Sequence, residues 1–522
     1  MKKFNYKNNN LFYISILCFI SILFNFYYGY RGILPTDSFL IFDSGNYVLN
    51  GFYPFKDYWT VTGPLLDYFQ AFLFLIFGVN WFSYVLHAAI INLLLAVFSY
   101  FIFVHLGLTK IYSFIYSSGI SLLAYPIIGT PFMDHHSTFF SIFAVYCFIL
   151  GIERNKSNYW FFIPIFLGFS FLSKQIPAAY IIIFLLIMLL FFLYYNFDIK
   201  KIYSLLLGTF FTIFIFVFVL VLNQIPFNNF FVQYFLYPLS IGSERVEGLS
   251  FSLKGFIGQF KYIYLCLLPL LAILLKIILK TKKKLAKQKD FIVIMTIVGM
   301  ILIFIYTQLL TKNQILIFFT IPLITAFSQI YYIRYFDKKY FIYFTILVCL
   351  FAVTKYHFRY NEQKKFIELE NVNFDLAVEA GKIHKMFNGL QWITASYSND
   401  PGKEIKKIIE IKDYINSDNS KKIIITDYQF FSAISINKIN TLTKWNKWYD
   451  TVSSPTKKNK YFINYQKFFI NKIKKNKIKK IYGIGADNKF VYFKDLIKNN
   501  NCINSKQIND IFVVYDITNC EL

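Results

Sequence analysis

Residues 37–68 read DSFLIFDSGNYVLNGFYPFKDYWTVTGPLLDY, and the interpretation of the whole chain turns on this stretch. It places Asp37, Asp43, Asp57 and Asp67 among aromatic side chains, with Pro54, Gly63 and Pro64 as turn residues. It follows a long apolar run. Connections between apolar segments are usually short; a long one with clustered carboxylates is the kind that binds or reacts.

That apolar run is one of many. Of 522 residues, 57% are hydrophobic and 16% charged, against about 25% charged in a soluble globular chain. Runs of roughly 20 apolar residues, the length that crosses a hydrocarbon core, recur along the sequence. The composition predicts a polytopic α-helical membrane protein. Its formal charge of +26 then belongs to cytoplasmic loops, with no nucleic-acid partner implied. Eleven spans are predicted, at 11–30, 82–105, 111–129, 137–152, 159–173, 177–195, 203–222, 262–279, 291–310, 314–332 and 340–355. The first follows Lys2, Lys3 and Lys7. It is too long for a signal core and no small-x-small cleavage site follows, so it reads as a retained anchor.

The loops alternate in charge. One set carries Lys110, Arg154, Lys156, Lys200, Lys201, residues 280–289, Arg334 and Lys338; the other has only scattered cations such as Arg31, Lys56, Lys174 and Lys312. The positive-inside rule puts the first set and the N-terminus in the cytoplasm. The acidic loop and everything after residue 355 are then outside. Residues 64–78 are apolar, but counting them as a span would invert every later loop. They are predicted to form a helix lying in the outer interface.

From residue 356 the composition becomes that of a soluble domain. Helical spacing of Ile405, Ile408, Ile409 and Ile415 alternates with strand-like runs at 423–426, 478–482 and 511–515, which predicts a small α/β domain. The expected organisation is a transmembrane domain over 1–355 and an outer domain over 356–522. The lysine-rich piece 457–480 reads as a solvated helix face, or as a surface attracted to anionic lipid headgroups or glycans. Cys502 and Cys520 lie in the outer domain, where a disulfide between them would persist. Cys18, Cys147, Cys266 and Cys349 lie in spans as packing residues.

Charges left near a membrane are functional candidates. Asp43 could take a proton from an attacking hydroxyl; a helix cap or a solvated acid is the plainer alternative. Asp134, in GTPFMDHHSTFF, opens a helix, where an acid is favoured electrostatically. With His135 and His136 it also makes a polar cluster that one more acid would turn into a divalent-metal site, although no spacing indicates zinc and no cofactor is assigned. Lys174, in FLSKQIPAAY, could hold a phosphate or reach for the interface. Lys312, in a tight turn, and residues 243–247 (SERVE), in a long loop, complete the candidates.

The order of these features resembles the GT-C glycosyltransferases. Within them it resembles the protein-mannosyltransferase-like family 39 enzymes, which include aminoarabinose transferases and lipopolysaccharide galacturonosyltransferases. The resemblance rests on Asp43, Tyr47, Gly51, Tyr53, Pro54, Asp57, Pro64-Leu65 and Phe77-Gly78, and continues at Asp134, Lys174 and Lys312. It implies an inverting transferase at the outer face of the bacterial cytoplasmic membrane. The donor would be a sugar on a polyprenyl phosphate; the acceptor would be a glycolipid, glycan or protein. By position, Asp43 corresponds to the general base and Asp134 to the second catalytic acid. Lys174 and Lys312 fall where cations would neutralise the lipid phosphate, with Tyr47, Tyr53, Asp57, His135 and His136 as further binding residues. Asp43-Ser44 stands where many relatives have an acidic pair, and Thr62-Gly63-Pro64 where many have Lys-Pro-Pro. A transporter or flippase of lipid-linked saccharides is the alternative, but it would place its charges at the midplane and show internal symmetry.

Overall fold

The computed structural model describes residues 5–247, 254–281, 289–311, 314–338, 340–437, 439–447, 450, 452–485, 490–498 and 500–521. The chain divides into two compact units. The first comprises Met1–Gly29, Val85–Val217 and Leu249–Phe366; the second comprises Tyr30–Tyr84, Phe218–Gly248 and Ile367–Leu522.

The first unit is helical. Each of the eleven predicted apolar segments coincides with a helix. Among the described residues, eight helices are long and apolar enough to cross a membrane. The other three predicted spans fall on Lys110–Leu123, Asn158–Ser173 and Thr320–Tyr335, of 14, 16 and 16 residues. At 1.5 Å per residue even 16 residues reach only about 24 Å, less than the ~30 Å hydrocarbon core. Met133–Arg154 is the innermost helix, with every residue from Met133 to Ile152 buried. Ile199–Leu222 is its opposite: Leu206, Leu207, Phe210 and Phe214 are exposed, and a helix apolar all round needs lipid as its solvent.

The second unit is built on a five-stranded sheet. Its order is Asn440–Thr441, Lys422–Thr426, Lys480–Ile484, Phe512–Asp516, Asn504–Asn509. The first three strands are parallel and the last two antiparallel to their neighbours. Lys422–Thr426 (KIIIT) is buried along its whole length, as a parallel strand covered on both faces should be. Helix Pro401–Ser417 buries Ile405, Ile408, Ile411 and Ile415, and helix Phe462–Asn476 buries Phe462, Tyr465, Phe469 and Ile473. These are amphipathic stripes of period 3.6. Cys502 and Cys520 are joined in a disulfide with a Cα–Cα distance of 5.2 Å.

The acidic stretch belongs to this unit. It forms helices Leu40–Leu49 and Leu65–Phe77. Phe39 packs against Phe387, Trp392 and Phe430, with ring centroids 5.6, 6.0 and 4.7 Å away. The Trp59 N–H donates to the Leu442 carbonyl at 2.8 Å, and the Lys444 N–H donates to the Trp59 carbonyl at 2.9 Å. Main-chain pairing thus ties residues separated by nearly 400 positions. Helix Leu65–Phe77 leaves Phe72, Leu75, Ile76 and Phe77 exposed, an apolar face suited to a lipid interface.

Helices Leu40–Leu49 and Leu65–Phe77 approach closely at Gly45. A Cβ there would stand 2.6 Å from Gln70 Cγ and 2.8 Å from Gln70 Cβ, and Gln70 is fully buried. Gly45→Val is expected to destabilise the protein by about 1–3 kcal/mol through overpacking. The check is the thermal unfolding midpoint of the detergent-solubilised protein; an unchanged midpoint would mean that the contact carries no constraint.

Candidate active site

Asp43 lies in the first turn of helix Leu40–Leu49 and is partly buried. The Ser432 hydroxyl donates a short hydrogen bond to its Oδ1. The Tyr47 phenol, one turn along the helix, supplies a second. Both bonds favour the charged carboxylate, but desolvation outweighs them and pushes the Asp43 carboxyl up to about 7. Burial and the neighbouring Asp43 charge push the Tyr47 phenol well above its ordinary value.

Asp67 stands at the start of helix Leu65–Phe77 and is fully buried. Lys444 Nζ and Ser44 Oγ (2.8 Å) donate to its Oδ1, and Tyr58 OH donates to its Oδ2 at 2.8 Å. Burial lowers the Lys444 ammonium from its ordinary value, with the Asp67 charge acting the other way. Asp57 Oδ2 accepts from the Tyr53 main-chain N–H at 2.9 Å, and Tyr53 stacks on Tyr68 at 6.4 Å. Lys472 donates to the Asp57 main-chain carbonyl. Between them, Phe55 has φ of +67°, a strained conformation for a bulky residue. Its carbonyl is held by the amides of Asn229 at 3.1 Å and Gln233 at 3.0 Å.

The first unit holds the other candidates. Asp134 occupies the first turn of Met133–Arg154 and is 3% exposed. Lys174 Nζ donates to both its oxygens, at 2.7 and 2.8 Å. Lys174 is an extended residue between helices Asn158–Ser173 and Gln175–Tyr195, so a polar break separates the two helices and brings its lysine to the acid. The break is fixed by hydroxyls: Ser137 donates to the Lys174 carbonyl at 3.2 Å, and Ser170 donates to the Ser137 carbonyl at 2.7 Å. His136 Nε2 is 2.9 Å from His87 Nε2, and its Nδ1 meets the Tyr125 hydroxyl. His135 stacks on Tyr125 at 4.7 Å, with Nε2 3.2 Å from the Ala124 carbonyl oxygen. Among the described residues no three His, Cys, Asp or Glu side chains are grouped to hold a metal. Lys312 lies outside the described residues, as do the side chains of Glu244, Arg245 and Glu247 in the SERVE segment.

Sequence reasoning paired none of the loop acids with its partner. Ser432, Lys444 and Lys472 all come from beyond residue 430. Lys444 alone carries a local signal, a cation inside the run TLTKW. His87 and Tyr125, around His136, were also missed.

A fold of many apolar helices with buried acid–lysine chemistry defines a multi-pass membrane protein. Residues 61–221 match the family model of dolichyl-phosphate-mannose-protein mannosyltransferases. This similarity supports a membrane glycosyltransferase of the GT-C type. The matched stretch includes Asp134, His135, His136 and Lys174; Asp43, Tyr47, Tyr53 and Asp57 precede it. None of the curated proteins compared with the chain matches it.

Breaking a buried ion pair strands a charge, so Lys444→Met should destabilise the protein by about 3–5 kcal/mol. Adding Asp67→Asn removes the stranded charge and leaves an amide that accepts from one of the two hydroxyls and donates to the other. The double variant is therefore expected to be more stable than the single one, as read from unfolding midpoints.

Proposed function

We propose that this protein transfers a sugar from a polyprenyl-phosphate-linked donor to a glycolipid, glycan or protein acceptor. The reaction takes place on the outer face of a bacterial cytoplasmic membrane, with the N-terminus inside. In this reading residues 1–355 contain the eleven-span catalytic domain and residues 356–522 form an outer α/β domain. The observation that carries the reading is Asp43: a carboxyl in a desolvated setting, lifted to about 7 and hydrogen-bonded, among the described residues, by the hydroxyls of Ser432 and Tyr47. A general base works best with its proton affinity near the operating pH.

The step is a displacement at the anomeric carbon. Asp43 takes the proton of the acceptor nucleophile as its oxygen or nitrogen forms the new bond. The bond from anomeric carbon to phosphate oxygen breaks, and the lipid phosphate leaves with the electron pair. Attack from the far side inverts the anomeric centre. A phosphate leaving group needs positive charge more than a proton. Lys174, oriented by Asp134, and Lys312 are proposed for that task. Tyr47 holds the Asp43 carboxyl, while Tyr53 and Asp57 shape the loop, and His135 and His136 support the Asp134 turn.

Asp43→Asn is expected to abolish sugar transfer to acceptor in proteoliposomes while insertion and thermal stability are retained; residual wild-type activity would remove Asp43 as the base. The wild-type rate should rise with pH through about 7, because only the deprotonated carboxyl accepts a proton. Ser432→Ala removes a bond that favours the charged form, so this limb should move to higher pH. The same raised carboxyl makes the Asp43 contribution to folding decrease as pH climbs from about 4 to about 7, because the folded state alone keeps the proton there.

A further inference from the structure

Within the second unit a cavity of about 280 Å³ opens between the loop at Phe52–Trp59, the segment at Asn228–Gln233 and helix Phe462–Asn476. Four lysines line it: Lys56, Lys467, Lys472 and Lys475. Among the described residues that line it, Asp57 is the only carboxylate, and six asparagines supply neutral donors and acceptors. Phe52 and Phe468, both partly exposed, give it apolar surfaces, and the buried Trp59 packs against Phe468.

Two features separate this cavity from an ordinary solvated lysine face. Lys472 is buried; among the described residues its ammonium donates to the Asp57 main-chain carbonyl, and the Asp57 carboxylate acts on it electrostatically without closing an ion pair. A buried cation that no anion pairs closely is costly, and burial holds Lys472 down to about 7, with the Asp57 charge acting the other way. Trp59 is 2% exposed, and its indole N–H has no partner among the described residues. A buried donor left open is an exception that calls for a ligand or water.

We propose that this cavity binds a saccharide carrying an anionic group, a carboxylate or a phosphate ester. The lysines meet the anion as point charges. The amides exchange paired hydrogen bonds with ring hydroxyls, which act as both donors and acceptors. The aromatic faces cover the apolar side of the sugar ring. The site lies on the lysine-rich piece 457–480, and it favours the glycan over the lipid headgroup because a concave, amide-lined wall can engage the many hydroxyls arrayed around sugar rings, where a glycerol headgroup offers only two. As a statement about acceptor chemistry the proposal rests on the transferase reading; as a statement about binding it does not.

The test uses the full chain in a nonionic detergent and isothermal titration with trigalacturonate, maltotriose and inorganic phosphate. Trigalacturonate is expected to bind at least about tenfold more tightly than maltotriose, a difference of about 1.4 kcal/mol. Lys467→Ala/Lys475→Ala, at two exposed positions that leave the core intact, should weaken trigalacturonate binding about tenfold with an unchanged unfolding midpoint. Trp59→Phe should weaken binding of both saccharides. Equal affinity for maltotriose would overturn the proposal, as would full binding by the double-lysine variant. So would displacement of trigalacturonate by equimolar phosphate or by phosphatidylglycerol, which would leave an anion or lipid site. Asp43→Asn should bind trigalacturonate normally, so failure here and failure of the transferase reading remain distinguishable.

Discussion

The buried pair between Asp67 and Lys444 is the contact on which the second unit depends. Neither side chain reaches water, at 0% and 3% exposure. Removing two charges from water costs several kcal/mol each, and their attraction offsets this only where every remaining lone pair is also satisfied. Here Ser44 and Tyr58 each add a donor to the Asp67 carboxylate. The pair therefore fixes three segments at once: helix Leu40–Leu49 through Ser44, the following loop through Tyr58, and the strand-end region through Lys444. Trp59, next to Tyr58, is locked by main-chain bonds to Leu442 and Lys444. A shift of any of these segments by a few ångströms would strip the Asp67 carboxylate of a donor in a dry interior, so the position of Asp43 on the same helix as Ser44 is set with little freedom.

A second pair, Asp134 with Lys174, has the same logic inside the first unit. Its acid opens a helix and its lysine sits in a break between two others. The helix break is a local sequence property: a polar Ser-Lys-Gln before a proline in an otherwise apolar run. The partner of the break is not local, but it lies only 40 residues away, on an adjoining helix.

Legibility in the sequence follows that distance. The spans showed themselves by apolar length, and the strands at Lys422–Thr426, Lys480–Ile484 and Phe512–Asp516 by short runs rich in isoleucine, valine and aromatic residues, the second beginning two residues later than the run at 478–482 because Ile478 is followed by two lysines. Helix Pro401–Ser417 was legible too, although its buried stripe uses Ile411 where the spacing had suggested Ile409. The short strands Asn440–Thr441 and Asn504–Asn509 were not legible: one has two residues, and the other (NSKQIN) is a polar edge that earns its place only from its neighbour. The loop carboxylates were visible as candidates. Their partners were not, because Ser432, Lys444 and Lys472 are joined to them by tertiary packing across roughly 390, 377 and 415 positions, and no periodicity or spacing spans such a gap.

The three principal carboxylates now differ in a way that bears on chemistry. Asp134 directs both oxygens to one ammonium, and Asp67 accepts from an ammonium and two hydroxyls. A lysine ammonium has three protons and no lone pair, so it can only donate. Each of these acids is thereby committed to the role of anion. Asp43 is bonded by Ser432 and Tyr47, whose hydroxyls donate to a carboxylate and can turn to accept from a carboxylic acid. Its hydrogen bonds survive either protonation state. A group that must gain a proton in one half of a catalytic cycle and lose it in the other needs that reversibility, and of the three it is the partners of Asp43 alone that supply it.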